Sequence, residues 1–502
     1  RGFQVVTRPA LCRGAESKLA GVWDQTVKAQ VRKAFFGTGA SFASDAFWSV
    51  NRLIEGYVQR WTGTYVEACE ATHVRGEQSA EVLDLRMSCL HDRLNNLKAL
   101  TTVFTQANGA VVENAVSAAS QLGAIDRCND VKLLRAMLPP PEDPAARRRV
   151  EQLQEQVADA RAQLAAGQLA EAEKATALLV ANARRVEYGP LLAEALWLRG
   201  HALVDMGNAS EAERILEEGL WTAEAARHDE AKAEMAIALL YAVYLEGVPR
   251  PKDTERWLHL AEATLRRIGG HPRLQIWSNN AYADALDLEG RREEALARRL
   301  QSEAIAARSL SPTDPDLVRV HGNLAHELSD LNRPAEALAH SDKAVEIARK
   351  VLGTDHPEMA TQMSNRAEIL NQLERWQEAR ASASRALELW EKQLGKDHPF
   401  VAYALSGIGA SYLGEGKPAF AVAPLERALR IRLAKEPSPA LIAEVEFALA
   451  RAFWDSNQQR ERARALARSA LERFGAEPSK SKPRAEITVW LAKHGNAALS
   501  AN

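Results

Sequence analysis

Four cysteines, twelve histidines and many scattered carboxylates are the residues of this chain whose types could do chemistry. The cysteines are Cys12, Cys69, Cys89 and Cys128, all in the N-terminal third. No Cys-X-X-Cys pair occurs among them, so the spacing of a zinc ribbon is missing. Four cysteines allow three disulfide pairings. The favoured one is Cys69–Cys89, stapling two neighbouring helices, with Cys12–Cys128 tying the ends of the domain. The alternative is four buried thiols, because cysteine is among the most buried residue types. Disulfides would imply an oxidising compartment.

The histidines give no metal pattern. His356 and His398 occupy equivalent turns, and equivalent turns of stacked repeats lie too far apart to share an ion. No metal and no cofactor is expected. Carboxylates fall on helix exteriors without forming a paired acid–base site. Arg75 and Glu77, within Val-Arg-Gly-Glu-Gln-Ser at 74–79, read either as a ligand site or as an interhelical turn with a buried ion pair. His-Asp-Arg at 91–93 lies on a helical pattern and carries no catalytic meaning there. A Gly-rich phosphate loop with its lysine strand is missing, as are a true His-Arg-Asp loop and Asp-Phe-Gly. No catalytic residues are expected, and the chain does not read as an enzyme.

The elements that must hold these residues are helices. At 502 residues the chain is too long for one core, which predicts several domains or a repeat array. A net charge of −2 argues against a nucleic-acid partner, which would require a basic face. The run Arg147–Arg149 reads as a solvated helix start. No apolar stretch reaches the roughly 18 residues of a membrane span, and no signal peptide is visible. Because the first residue is Arg1, the chain is expected to be part of a longer protein, with any membrane anchor upstream.

Ala295, Ala337, Ala379, Ala421 and Ala463 recur every 42 residues, each opening an amphipathic helix. Twelve positions earlier come Ala283, Ala325, Ala367 and Gly409, with Arg451 as the exception; nine earlier come Leu286, Leu328, Leu370, Tyr412 and Trp454. Seven after come Ser302, Ala344, Ala386, Ala428 and Ala470. Small residues let the two helices of a hairpin approach, and the larger one fills the groove to the next hairpin. Pro follows His271, Asp314, His356, His398 and Ser438, and each marks a helix start. Asp314 and Ser438 are expected to cap directly, with Asp355 and Asp397 acting from one place earlier.

This pattern resembles the tetratricopeptide repeat (TPR) family. The 42-residue period, with Gly-Thr-Asp-His-Pro-Glu at 353–358 and Gly-Lys-Asp-His-Pro at 395–399, resembles the longer repeats of kinesin light chains. Looser copies carry Ala160, Gly167 and Ala172, then Gly200, Gly207 and Ala212, and a third spans Leu240–Leu265. The expected fold is all-α: an N-terminal helical bundle (1–138), a right-handed TPR superhelical solenoid of about eight hairpins (145–476), and a C-terminal capping helix and tail (477–502). The boundary is Leu-Pro-Pro-Pro-Glu-Asp-Pro at 138–144, which cannot continue a helix.

In the bundle, Leu83, Met87, Leu90, Leu94 and Leu97 form one apolar stripe, and Val111, Ala115, Ala118, Ala119 and Leu122 another. Cys-Arg-Gly-Ala-Glu at 12–16, Glu-Ala-Cys-Glu-Ala-Thr at 67–72 and 74–79 running into Leu-Asp-Leu-Arg-Met-Ser-Cys-Leu at 83–90 resemble the region following the kinase domain in large myxobacterial-type serine/threonine protein kinases. That resemblance implies a non-catalytic regulatory or sensory tail on the extracytoplasmic side of a bacterial inner membrane, with the kinase upstream. A free-standing assembly scaffold is the alternative, and a cytoplasmic location the alternative address. The expected partner is a protein or peptide. The TPR resemblance further implies a binding face on the first helix of each hairpin, where an Asn at the sixth repeat position bonds an extended peptide. Asn323 and Asn365 match it; the adjoining hairpins have Ala281 and Gly407, so the clamp is two repeats wide. Arg319, four places before Asn323, would add charge for an acidic ligand, while Arg366 is expected on the packed side or in solvent.

Overall fold

The computed structural model describes residues 12–436, 438–475 and 481–494, and every regular element among them is helical. They form two compact units: residues up to Val320 with Lys350–Gly353, and His321–Arg349 with Thr354 onward.

The first unit opens with a bundle of five α-helices: α1 (Gln25–Gly37), α2 (Ala43–His73), α3 (Ala80–Thr105), α4 (Gly109–Ser120) and α5 (Val131–Ala136). Short polar side chains start four of them, all but α2, by satisfying helix-end N–H groups. Asp24 accepts from the Val27 amide at 2.9 Å, Asn108 from Val111 at 3.0 Å and Asp130 from Leu133 at 3.0 Å. Phe35 of α1 meets Phe47 and Phe104 edge-on, and Trp61 of α2 donates its indole N–H to the Leu90 carbonyl at 2.8 Å. Within α3 the buried residues include Val82, Arg86, Leu90, Leu97, Leu100 and Phe104; Leu90 and Leu97 of the expected stripe are among them, while Leu83, Met87 and Leu94 are half-buried. Arg86 is buried because its guanidinium is answered: it pairs with Glu67 and donates to Gln78 Oε1 at 2.9 Å. Arg75 bonds Glu77 at 2.7 Å and Glu67 at 3.0 Å. The 67–90 motif residues therefore close the α2–α3 turn, and Arg75–Glu77 is an ion pair at an interhelical turn, solvent-exposed rather than buried.

All four cysteines are disulfide-bonded, but not in the expected pairing. Cys12 is joined to Cys69 and Cys89 to Cys128, with Cα–Cα distances of 5.6 and 5.5 Å. Helix register is the reason. The α2–α3 turn centres near Gly76–Glu77, so Cys69 and Cys89 lie unequal numbers of residues from it. At 1.5 Å rise per residue the mismatch separates them by roughly 7 Å along the helix axes. Cys69 and Cys89 instead each bond a cysteine outside the five α-helices: Cys12 ahead of α1, and Cys128 in the 3-10 helix Ile125–Asn129.

Eight helix hairpins follow in chain order. They are α6 (Pro144–Ala165) with α7 (Leu169–Val186), α8 (Gly189–Asp205) with α9 (Ala209–Ala225), α10 (Asp229–Leu245) with α11 (Pro251–Arg267), and α12 (Pro272–Leu288) with α13 (Arg292–Ser309). Then come α14 (Asp316–Asp330) with α15 (Pro334–Val351), α16 (Pro357–Gln372) with α17 (Trp376–Leu394), α18 (Pro399–Gly414) with α19 (Pro418–Lys435), and α20 (Pro439–Asp455) with α21 (Arg460–Arg473). The last helix is α22 (Ser481–His494). The alanines that open seven of the eight second helices, Ala172, Ala212, Ala295, Ala337, Ala379, Ala421 and Ala463, are fully buried. Where the partnering small residue is Gly, the approach is closer still. A Cβ on Gly200 would stand 2.4 Å from Leu216 Cδ2, and one on Gly409 2.5 Å from Leu425 Cγ. The first seven hairpins each turn through one left-handed residue, Gly167, Gly207, Gly247, Gly290, Asn332, Glu374 or Gly416, and the last through two, Asn457 and Gln459. Gly pays no Cβ penalty there and Asn little.

The bundle lies along the inter-hairpin turns of its own unit. Arg127 donates to the carbonyls of Ile268 and Gly270 at 3.3 Å each, Leu138 N–H to Ala226 O at 3.3 Å, and Ser49 Oγ to Val351 O at 2.6 Å. Tyr188 Oη donates to Leu138 O at 3.0 Å, so the chain just before the proline run is bonded on both sides.

Candidate peptide-binding face

The second unit holds both predicted asparagines. Asn323 lies on α14 and Asn365 on α16, at the same repeat position, 42 residues apart. Both are half-buried, and neither amide makes a hydrogen bond among the described residues. An amide offers two donors and an acceptor with two lone pairs, so each side chain keeps its full capacity for a peptide group. Asn371, also on α16, contrasts with them. Its Nδ2 donates to Gly407 O at 3.1 Å and its Oδ1 accepts from Ser411 Oγ at 2.8 Å. Gln372 is likewise used, bonding Ser329 Oγ at 2.8 Å. Nearly two turns of α16 thus separate an amide that remains available from amides that lock neighbouring helices.

The charge beside Asn365 is acidic. Glu368, one turn further along α16, has its carboxyl pKa raised by desolvation; His326 opposes the shift, and Asp330 and Glu444 add to it. Arg366 turns to the packed side, bonding Asp342 at 2.7 Å and Ser382 Oγ at 2.8 Å. Arg319, in the first unit, remains half-exposed but is already paired with Asp316 at 3.1 Å, and Asp316 also holds Arg273. An incoming carboxylate would have to compete with Asp316.

The turn histidines have a structural task. Nδ1 of His356 accepts from the Glu358 amide at 3.1 Å, and Nδ1 of His398 accepts from the Phe400 amide at 3.2 Å. His271 does the same for Leu274 at 3.3 Å. The histidine of each His-Pro turn is itself the N-cap, with Asp355 instead holding Arg385 at 2.8 Å. Asp314 Oδ1 does accept from the Asp316 amide at 3.0 Å, whereas the Ser438 side chain makes no cap bond.

A titratable cluster in the first unit had no signal in the sequence. Burial pushes the carboxyls of Asp92 and Glu234 up to about 7 each; Glu194 adds to both shifts, and Arg93 and Arg161 respectively oppose them. His228 lies 3.3 Å from Glu194, which lifts the imidazole pKa above its ordinary value against the cost of burial. Arg161 approaches Glu194 at 3.6 Å, and His271 approaches Glu230 at 3.8 Å. Asp92 and Arg93, part of the kinase-like lookalike on α3, therefore belong to a buried junction between the bundle and the hairpins. Residues so far apart in sequence converge only through folding.

Comparison with known proteins agrees with the hairpin geometry. The tetratricopeptide repeat family profile matches residues 322–358 and 358–434. These residues are tetratricopeptide repeats. Among curated proteins none matches the chain. Among solved structures, kinesin light chain TPR-like repeats of Podosopora anserina share 22% identity, covering 43% of this chain and 97% of that one, with a TM-score of 0.35. NprR in complex with its cognate peptide NprX shares 17% identity over 60% of this chain and 83% of that one, with a TM-score of 0.45. A signal transduction ATPase with a tetratricopeptide repeat sensor from Pyrococcus horikoshii shares 12% over 92% of this chain and 74% of that one, with a TM-score of 0.44. Overall, the fold is an all-α bundle followed by a TPR solenoid.

Proposed function

We propose that this chain is a protein- or peptide-binding regulatory region, that its partner lies across the first helices of the repeats at Asn323 and Asn365, and that it is attached to a bacterial serine/threonine kinase. The observation that carries the binding reading is the pair of amides one repeat apart, both without a hydrogen bond among the described residues, beside amides that are consumed by packing. Glu368 adds that the bound segment is neutral or basic where it passes Asn365. Arg319 serves a ligand carboxylate only by exchange with Asp316. Two disulfides in the bundle support an oxidising, extracytoplasmic setting.

The test is selection of peptides from a displayed random library against the whole chain. Selected peptides are expected to lose roughly tenfold or more in affinity to the double variant Asn323→Ala/Asn365→Ala, since each lost neutral hydrogen bond is worth about 0.5–1.5 kcal/mol. The melting temperature should stay unchanged because neither amide supports the fold. Selected peptides that bind the double variant as tightly as the parent would place the site elsewhere. The kinase attachment is checked in the reading frame upstream of Arg1: a kinase domain followed by an apolar span supports it. An initiator Met there with no kinase replaces it by a free-standing scaffold.

A further inference from the structure

Helix α1 has two unlike faces. Val27, Val31 and Phe35 are buried in the bundle. Gln25, Lys28, Ala29, Arg32, Lys33 and Phe36 recur at helical spacing on the other side and line an open groove of about 460 Å³ with Phe47, Trp48 and Asn51 of α2. Phe47 forms its floor, while the rim rings stand in solvent: Trp48 is 56% exposed and Phe36 45%. Arg32 lies over both rings, 5.5 Å from the centre of Phe36 and 6.0 Å from that of Trp48. No carboxylate lines the groove. Lys28 is answered by Glu55, from outside the lining; Arg32 and Lys33 have no carboxylate partner among the described residues. Two uncompensated cations therefore border two exposed aromatic rings.

We infer that this groove is a docking surface for a membrane bearing anionic headgroups, with Trp48 and Phe36 entering the headgroup–acyl boundary and Arg32 and Lys33 holding phosphate. The exposure of the rings decides between a bilayer and a small soluble ligand. A small-molecule pocket covers most of its ligand and encloses its own aromatic lining, whereas here the largest rings project outward, as aromatic side chains do at membrane interfaces. Arginine and lysine next to them match an anionic leaflet. No described helix is long and apolar enough to cross a membrane, so the contact is interfacial. It is separate from the asparagine face and does not depend on it.

Trp221 on α9 is the internal control. It is 61% exposed, but the neighbouring cations are spoken for: Lys232 pairs with Glu224, and Arg267 with Asp229. The experiment is co-sedimentation of the whole chain with phosphatidylcholine vesicles and with vesicles containing phosphatidylglycerol. Partition is expected only with the anionic vesicles and should fall several-fold in 0.5 M salt, a concentration at which screening shortens to about 4 Å. Trp48→Ser and Arg32→Glu/Lys33→Glu should each lower the partition coefficient at least fivefold, while Trp221→Ser should not alter it. All these positions are exposed, and an unchanged melting temperature confirms intact folding. Equal partition into both vesicle types overturns the inference, as does equal loss in the Trp221→Ser control or no partition at all. Binding of an acidic peptide with no vesicle partition would make the groove a protein contact instead and equally overturn it.

Discussion

Replacing Cys89 and Cys128 by alanine tests the bundle most directly. The bridge closes a loop with a sequence separation of 39. The chain-entropy relation gives about 13 cal/mol/K for that length, or about 3.9 kcal/mol at 25 °C; the Cys12–Cys69 loop, with a separation of 57, gives about 4.2 kcal/mol. The two loops do not overlap in sequence, so their contributions should add. Alanine fits the buried Cys128 site without a polar orphan, and the loss should be close to the entropic figure. Native-state hydrogen exchange is the suitable assay because openings differ across a multi-unit chain. Amides of α2 and α3 should lose about 4 kcal/mol of protection, while those of α20 and α21 keep theirs. The pairing itself is read by non-reducing peptide mapping, since trypsin cuts at Arg75 and Arg86 between Cys69 and Cys89 and at Arg93 and Lys98 between Cys89 and Cys128. A linked peptide holding Cys69 and Cys89 would refute the register argument. A loss under about 1 kcal/mol would refute the magnitude.

Two further outcomes follow from packing and from charge. Gly409→Val should destabilise the second unit by about 1–3 kcal/mol, because its Cβ alone would stand 2.5 Å from Leu425; denaturant unfolding measures it, and an unchanged midpoint would contradict the packing. The first unit should be less stable at pH 8 than at pH 5.5. Asp92 and Glu234 have folded pKa values raised to about 7, so between about pH 4 and 7 the folded state keeps protons that the unfolded chain releases, and stability falls as pH rises. His228, also raised, contributes stability below its unfolded pKa that is lost as pH climbs through the folded one. Glu194 and Glu230 are lowered, so their contribution disappears only in acid, below about pH 4.5. Thermal melts of the parent and of Asp92→Asn/Glu234→Gln check this: the variant should flatten the decline, and a parent profile that rises toward pH 8 would contradict it.

The sequence by itself determined the repeat architecture. Ala295, Ala337, Ala379, Ala421 and Ala463 announce their burial through spacing, and the proline after each turn announces a helix start. A repeat contacts mainly its neighbours, so its constraints are local and recur at one period. The α3 stripe was legible in part: Leu90 and Leu97 are buried as read, whereas Arg86, buried by its pairing with Glu67, had no place in an apolar pattern. The candidate asparagines were readable as positions but not as available groups. Asn365 and Asn371 are the same residue type on one helix, and only the neighbouring Gly407 carbonyl and Ser411 hydroxyl show that the second is consumed. The cysteine pairing, the convergence of Asp92 with Glu194 and Glu234, and the bonds from Arg127 to Ile268 and Gly270 were decided by tertiary structure. Each depends on the register and direction of helices distant in sequence, where a displacement of a few residues along an axis changes which side chains meet.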